Sequence, residues 1–151
     1  MSIKRLLARV PSAKKIDTGI LEGHKLKFHK ISKKDGSAKC DVKQTGDPAD
    51  YVYGVVFLIS QEEKPRLDRE EGLGYGYAQK DVLIKLDNGS IIKAYTYYAT
   101  NIDPILKPMN WYKEHVIRGA KENELPEAYI KAIEAIESME DTDIERRDRE
   151  L

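Results

Sequence analysis

The sequence predicts an α+β domain, a mostly antiparallel sheet with a few helices. Three observations lead there. An apolar run from Val52 to Ile59, bounded by turn signals, reads as a buried strand. Val82, Ile84 and Leu86 alternate with Asp81, Leu83 and Lys85 and run into Asn88-Gly89, a hairpin signal. Helical spacing is clearest at the two ends: Ile3, Leu6, Leu7 and Val10 first, then Tyr112 to Ala120 and Tyr129 to Ile136.

The elements follow in order. Ser2 to Val10 reads as a helix with Ser2 as N-cap and Pro11 as its stop. Lys15 to Ser32 is extended, with Leu26 and Phe28 alternating with polar neighbours. Lys33 to Ser37 is a polar turn, Cys40 to Gln44 a short strand, and Gly46-Asp47-Pro48 a loop. Gly54, inside the strongest strand, signals a bulge, a close backbone or ligand approach, or a packing gap. Ser60 to Glu70 has helical composition, and Gly72 is placed to cap that helix. Ser90 to Thr100 returns from the hairpin with Tyr95 and Tyr97 on one face and Thr96 and Tyr98 on the other. Pro108 and Pro126 stand at the starts of two closing helices. From Met139 to Leu151 most residues are charged, with mixed sign. That segment is expected to be a mobile or solvated helical tail, 139–151, behind a folded domain of 1–138.

Composition narrows the function. With 151 residues the chain is long enough for one real core. Lys plus Arg number 26 and Asp plus Glu number 26, so no basic excess exists to follow phosphates, and no nucleic acid partner is expected. No apolar stretch approaches the ~18 residues of a membrane helix, so no membrane association is expected, and the expected location is cytoplasmic. A lone cysteine, Cys40, excludes an internal disulfide and reads as a small passive residue. His24, His29 and His115 lack zinc-ligand spacing, so no metal is expected. Gly72 to Gly76 lacks the Lys-Ser/Thr of a phosphate loop.

What remains is Glu71. It ends a short helix, just before Gly72 and a turn rich in glycine and tyrosine. Unpaired carbonyls at a helix C-terminus and partial burial both disfavour a carboxylate, so its pKa should rise above about 4.3. A carboxylate tuned upward suits general base work near neutral pH. An ordinary surface glutamate ending an amphipathic helix would show the same pattern.

The chain also resembles the gamma-glutamylcyclotransferase-like family, from Met1 to about Glu137. The resemblance rests on Arg9-Val10-Pro11-Ser12-Ala13, Tyr53-Gly54-Val55-Val56-Phe57, Leu67-Asp68-Arg69-Glu70-Glu71-Gly72 with Tyr77, Ala94-Tyr95-Thr96-Tyr97, and Tyr112 with Gly119 to Tyr129. It implies a small mixed β-barrel with flanking helices and no cofactor. The implied activity is cyclisation of a gamma-glutamyl amide to 5-oxoproline, releasing an amino acid or amine. Glu71 matches the catalytic glutamate, and Tyr77, Tyr97 and Tyr112 match tyrosines lining the cavity; Gly72 stands beside them. The family opens with a strand ending in Tyr-Gly-Ser-Asn, whose amides hold the substrate. Here Met1 and Ser2 fall at the end of that motif, so the first strand is expected to be lacking, with Met1 and Ser2 as remaining substrate contacts. Either the natural protein is longer, or this is a shortened, binding-only relative. The packing of Gly119-Ala120 leaves a homodimer open.

Overall fold

A computed structural model describes residues 3–151, so the expectations at Met1 and Ser2 lie outside the described residues. Eleven elements follow one another: α1 (Ile3–Arg9), β1 (Lys14–Glu22), β2 (His24–Ile31), β3 (Ala38–Gln44), β4 (Tyr51–Leu58), α2 (Lys64–Glu71), β5 (Tyr77–Leu86), β6 (Ile91–Ala99), α3 (Asn110–Glu122), α4 (Glu127–Glu134) and α5 (Ile144–Glu150). A curled four-stranded sheet runs β4-β1-β5-β6, and β2-β3 forms a separate hairpin. All pairings between these strands are antiparallel; parallel contact among the described residues is confined to isolated bridges.

The hairpin joins the sheet through side chains as well as backbone. Asp41 on β3 accepts from the Ala99 amide of β6 at 2.8 Å with one oxygen and meets His29 Nε2 at 2.6 Å with the other. Both His29 and Asp41 are buried, and a buried acid persists only where its oxygens are bonded. His24 has its two ring nitrogens on the Glu22 carbonyl and on Lys80, 2.8 and 2.7 Å away. His115 meets the Glu150 carbonyl at 2.5 Å. Among the described residues no three His, Cys, Asp or Glu side chains are grouped to hold a metal ion.

Two apolar clusters organise the molecule. Phe28 and Ala38 of the hairpin pack against Ile117, Ala120, Ile130 and Ile133 of α3 and α4. Leu6 of α1 and Val10, just past its end, pack against Leu67 of α2, with Phe57 and Tyr97 at the margin. The first cluster explains the helical stripes read from the sequence, and the second explains why α1 lies against α2. Ser12, just past α1, locks that arrangement. Its amide donates to the Glu63 carboxylate at 3.0 Å, its hydroxyl bonds the same carboxylate, and it accepts from the Ser60 amide at 3.1 Å.

Two expectations change on contact with the fold. Of the readings open at Gly54, the bulge and the close backbone approach fall and the packing gap stands: it pairs in register with Gly19, and a Cβ there would meet nothing within 4 Å. The close approach belongs to Gly19, where a Cβ would fall 2.9 Å from the Lys85 carbonyl oxygen, and the bulge lies between Lys15 and Asp17. The charged C-terminal segment is helical, but it is not solvated throughout. Asp141 is 2% exposed and accepts from Trp111 Nε1 at 2.9 Å. Arg146 closes on the same carboxylate with two bonds of 2.5 and 2.6 Å, the paired geometry that suits a guanidinium. Counting charges misses this because one fully paired acid can be buried where an unpaired one cannot. No helix among the described residues is long and apolar enough to cross a membrane.

Candidate active site

Glu71 is the last residue of α2, and the backbone after it turns in a full Schellman motif. Gly72 sits at φ 79°, its amide bonds the Arg69 carbonyl at 3.1 Å, and the Leu73 amide bonds the Asp68 carbonyl at 2.8 Å. A residue with a Cβ is strained at that angle, which is why glycine follows the glutamate. The turn continues through bonds from Tyr75 and Tyr77 amides to the Gly72 carbonyl, 2.8 and 3.4 Å, so Tyr77 enters β5 beside the glutamate.

The carboxylate is one-quarter exposed and faces α1, where Arg9 Nη1 donates to its Oε1 at 3.4 Å. Arg9 Nε stands 3.9 Å from Glu70 as well. Burial pushes the Glu71 carboxyl above its ordinary range, and the Arg9 guanidinium pulls it part of the way back. The upward direction is the one expected from the sequence. The opposing arginine was missed, although its place in the last turn before Pro11-Ser12 was the signal available.

The tyrosines form two linked groups. Tyr77 donates its hydroxyl to the Cys40 carbonyl at 2.8 Å, and the Cys40 amide donates to the Tyr112 hydroxyl at 3.0 Å. Two phenols from β5 and α3 thus bracket one residue of β3. Burial raises the Cys40 thiol to about 11, so it stays protonated and inert. Tyr97 turns to α2 instead and donates to Asp68 at 2.5 Å, while Lys64 clasps the same carboxylate at 3.0 and 2.9 Å. Burial raises Tyr77 and Tyr97; Cys40 adds to the first and Asp68 to the second, and the Glu71 charge contributes at both. The fold therefore brings Glu71, Gly72, Tyr77 and Tyr97 together. Tyr112 joins through Cys40 and not through Glu71.

Cys40, Asp68 and Arg9 are the residues that sequence reasoning did not place here. A cavity of about 600 Å³ opens elsewhere, between Lys25 to Phe28 of β2, the 104–108 loop and α4, and none of Glu71, Gly72, Tyr77 and Tyr97 lines it.

Comparison with known proteins decides the family. The AIG2-like family matches residues 51–133. A gamma-glutamylcyclotransferase of Mus musculus is 31% identical over 142 residues, covering 91% of this chain and 74% of that relative. The chain belongs to the gamma-glutamylcyclotransferase-like family. A solved gamma-glutamyl cyclotransferase structure superposes with a TM-score of 0.86 at 29% identity, over 99% of this chain and 91% of the other. A Bos taurus gamma-glutamylcyclotransferase is 35% identical over 91 residues, a match that spans about half, 48%, of that relative.

The family segments now have physical places. Arg9 to Ala13 ends α1 and ties it to α2 through Ser12. Leu67 of the Leu-Asp-Arg-Glu-Glu-Gly segment enters the α1 cluster, while Asp68 holds Tyr97 and Glu71 meets Arg9. Gly119 to Pro126 ends α3. Buried Asn123 donates its side-chain amide to the Gly119 carbonyl at 2.8 Å, and the Leu125 amide returns to Ala120 at 3.0 Å. Glu122, in the same segment, accepts from the Ile3 amide at 3.1 Å and steadies the start of α1. Two segments of this gamma-glutamylcyclotransferase-like chain thus fix α1 against α2, and a third ends α3 and reaches the start of α1.

Proposed function

We propose that this chain is a cytoplasmic gamma-glutamylcyclotransferase, cyclising a gamma-glutamyl amide to 5-oxoproline with Glu71 as general acid and base. Membership of the family supports the reaction class. The single observation that supports the role is a desolvated Glu71 carboxylate, its pKa raised, standing beside Tyr77 and Tyr97.

The chemistry moves two protons, one after the other, from the attacking nitrogen to the departing one. The substrate's α-ammonium gives a proton to the Glu71 carboxylate, and the freed amine attacks the gamma-carbonyl. Glu71 passes that proton to the departing nitrogen as the amide C–N bond breaks. It then takes the second proton from the attacking nitrogen, which leaves a neutral five-membered lactam, and hands it to the released amine, which departs as an ammonium. Both reacting atoms lie in one molecule, so holding the substrate folded supplies effective molarities on the order of 10⁵–10⁸ M. Gly72, Tyr77, Tyr97 and Tyr112, with Met1 and Ser2, are the substrate-side groups of this reading. Phenols kept neutral in that position offer the substrate their remaining lone pairs as acceptors without competing for the proton.

A second, binding-only reading draws on the hydroxyls of Tyr77 and Tyr97, already spent on Cys40 and Asp68. The two readings separate in one assay. The protein is offered a panel of gamma-glutamyl dipeptides, glutathione and gamma-glutamylamines, and 5-oxoproline is measured. Turnover that Glu71→Gln abolishes supports the proposal. Turnover that Glu71→Gln leaves unchanged removes Glu71 from the role, and no turnover across the panel favours binding alone.

A further inference from the structure

Arg9 is under-used for a guanidinium. It carries five N–H donors in a rigid fork, yet its partners are one long bond of 3.4 Å to Glu71 and a 3.9 Å charge contact to Glu70. Its side chain is one-quarter exposed, as is that of Glu71, so the pair is neither sealed in the core nor free in water. The backbone beneath both is well fixed: Leu6, Val10 and Leu67 hold α1 to α2, and Ser12 anchors the end of α1 to Glu63 and Ser60. The result is one cation and one anion a few ångströms apart at a half-open seam between two helices.

An α-amino acid head carries the complementary pair. Its carboxylate and its ammonium sit on a single carbon, separated by about the same span as the two protein charges. We infer that Arg9 and Glu71 together form a receptor for this zwitterionic head, with Arg9 taking the substrate's α-carboxylate through its unspent donors. This rests on the reading of Glu71 as the base and deepens it. Seating the carboxylate on Arg9 swings the neighbouring ammonium onto Glu71, so recognition and delivery of the reacting nitrogen become one act. The 3.4 Å Arg9–Glu71 bond is replaced by two charge-assisted bonds to the ligand. Arg9 is then a specificity-determining residue: it demands a free α-carboxylate and is indifferent to the leaving group.

The test compares ligands that differ only in that carboxylate. Calorimetry is run with L-glutamate and with 4-aminobutyrate on the wild type, Arg9→Met and Arg9→Lys, after melting curves show the variants folded. Glutamate should bind more tightly than 4-aminobutyrate by about 10- to 100-fold, the worth of a hydrogen bond to a charged group. Arg9→Met should erase that preference by weakening glutamate alone, and Arg9→Lys, which keeps the charge and loses the fork, should fall between. Equal weakening of both ligands, an unchanged preference, or no binding of glutamate would each overturn the inference. Turnover is scored separately with a gamma-glutamyl amide and its 4-aminobutyryl counterpart. Arg9-dependent binding without any turnover would leave the receptor standing and remove the cyclotransferase. Turnover that needs Glu71 but keeps its carboxylate preference in Arg9→Met would do the reverse.

Discussion

Arg9 and Glu71 lie 62 positions apart in the chain and 3.4 Å apart in the fold. Their opposition sets the chemistry of the site. Burial lifts the carboxyl above its ordinary value of 4.5, and the guanidinium restrains the lift. A general base must be ionised, so kcat/KM should fall as pH drops through the Glu71 pKa, with the acidic limb above the ordinary glutamate range. Removing the restraint in Arg9→Met should move that limb to higher pH. A pH–rate profile of the two proteins checks both statements. Because the folded value exceeds the unfolded one, the same group makes stability decline as pH rises between the two.

Gly72→Ala should cost about 1–2 kcal/mol through backbone strain alone. A Cβ there meets only ordinary neighbours, the Tyr75 carbonyl oxygen at 3.5 Å and Tyr77 Cδ2 at 3.8 Å, so crowding is not the cause. The left-handed angle is. Urea unfolding of Gly72→Ala against Gly72→Asn, which tolerates that region better, separates strain from lost space.

Tyr112→Phe removes the acceptor for the Cys40 amide in the middle of β3. A buried donor left unpaired costs about 1–3 kcal/mol, so this variant should lower the melting temperature by several degrees. Tyr77→Phe leaves the Cys40 carbonyl, which retains a second lone pair and loses less. The order Tyr112→Phe below Tyr77→Phe in thermal melts is the expected outcome, and the reverse order would contradict the bracket around Cys40.

Trp111 is the chain's one tryptophan and hydrogen-bonds Asp141, so its fluorescence reports the docking of the C-terminal segment. Arg146 and Trp111 hold the Asp141 carboxyl well below the usual carboxylate range. Its contribution to docking is therefore present above the unfolded pKa and lost as pH falls through the depressed folded value. Wild-type fluorescence should stay native-like into acid, and Asp141→Asn should show an undocked signal already at neutral pH.

Much of the fold could be read in advance, because it rests on short-range rules. The apolar run at Val52 to Ile59 became β4, although at the sheet edge with Val52 alone fully buried rather than as a buried strand. Asn88-Gly89 turned the β5–β6 hairpin, and the stripe from Tyr112 to Ala120 became the core-facing side of α3. The Gly72 cap was legible for the same reason: a glycine after a helix answers to the carbonyls a few residues before it. The limits lie where partners are distant in sequence. Sequence alone left Gly54 open between a bulge, a close approach and a packing gap, and gave no sign that the crowding that demands glycine comes from Lys85 against Gly19. The C-terminal segment looked solvated because nothing in its own composition announces that Trp111 will meet Asp141.

By itself the sequence determined which segments are strands and helices, which glutamate ends α2, and which family the motifs resemble. Only the tertiary structure decided that Arg9 opposes that glutamate, that Tyr97 is spent on Asp68, and that Tyr77 and Tyr112 share Cys40. The reason is range. Secondary structure answers to periodicity and to neighbours three or four residues away, whereas the charge state of a carboxylate and the fate of a phenol answer to whatever the packed core brings within a few ångströms of them.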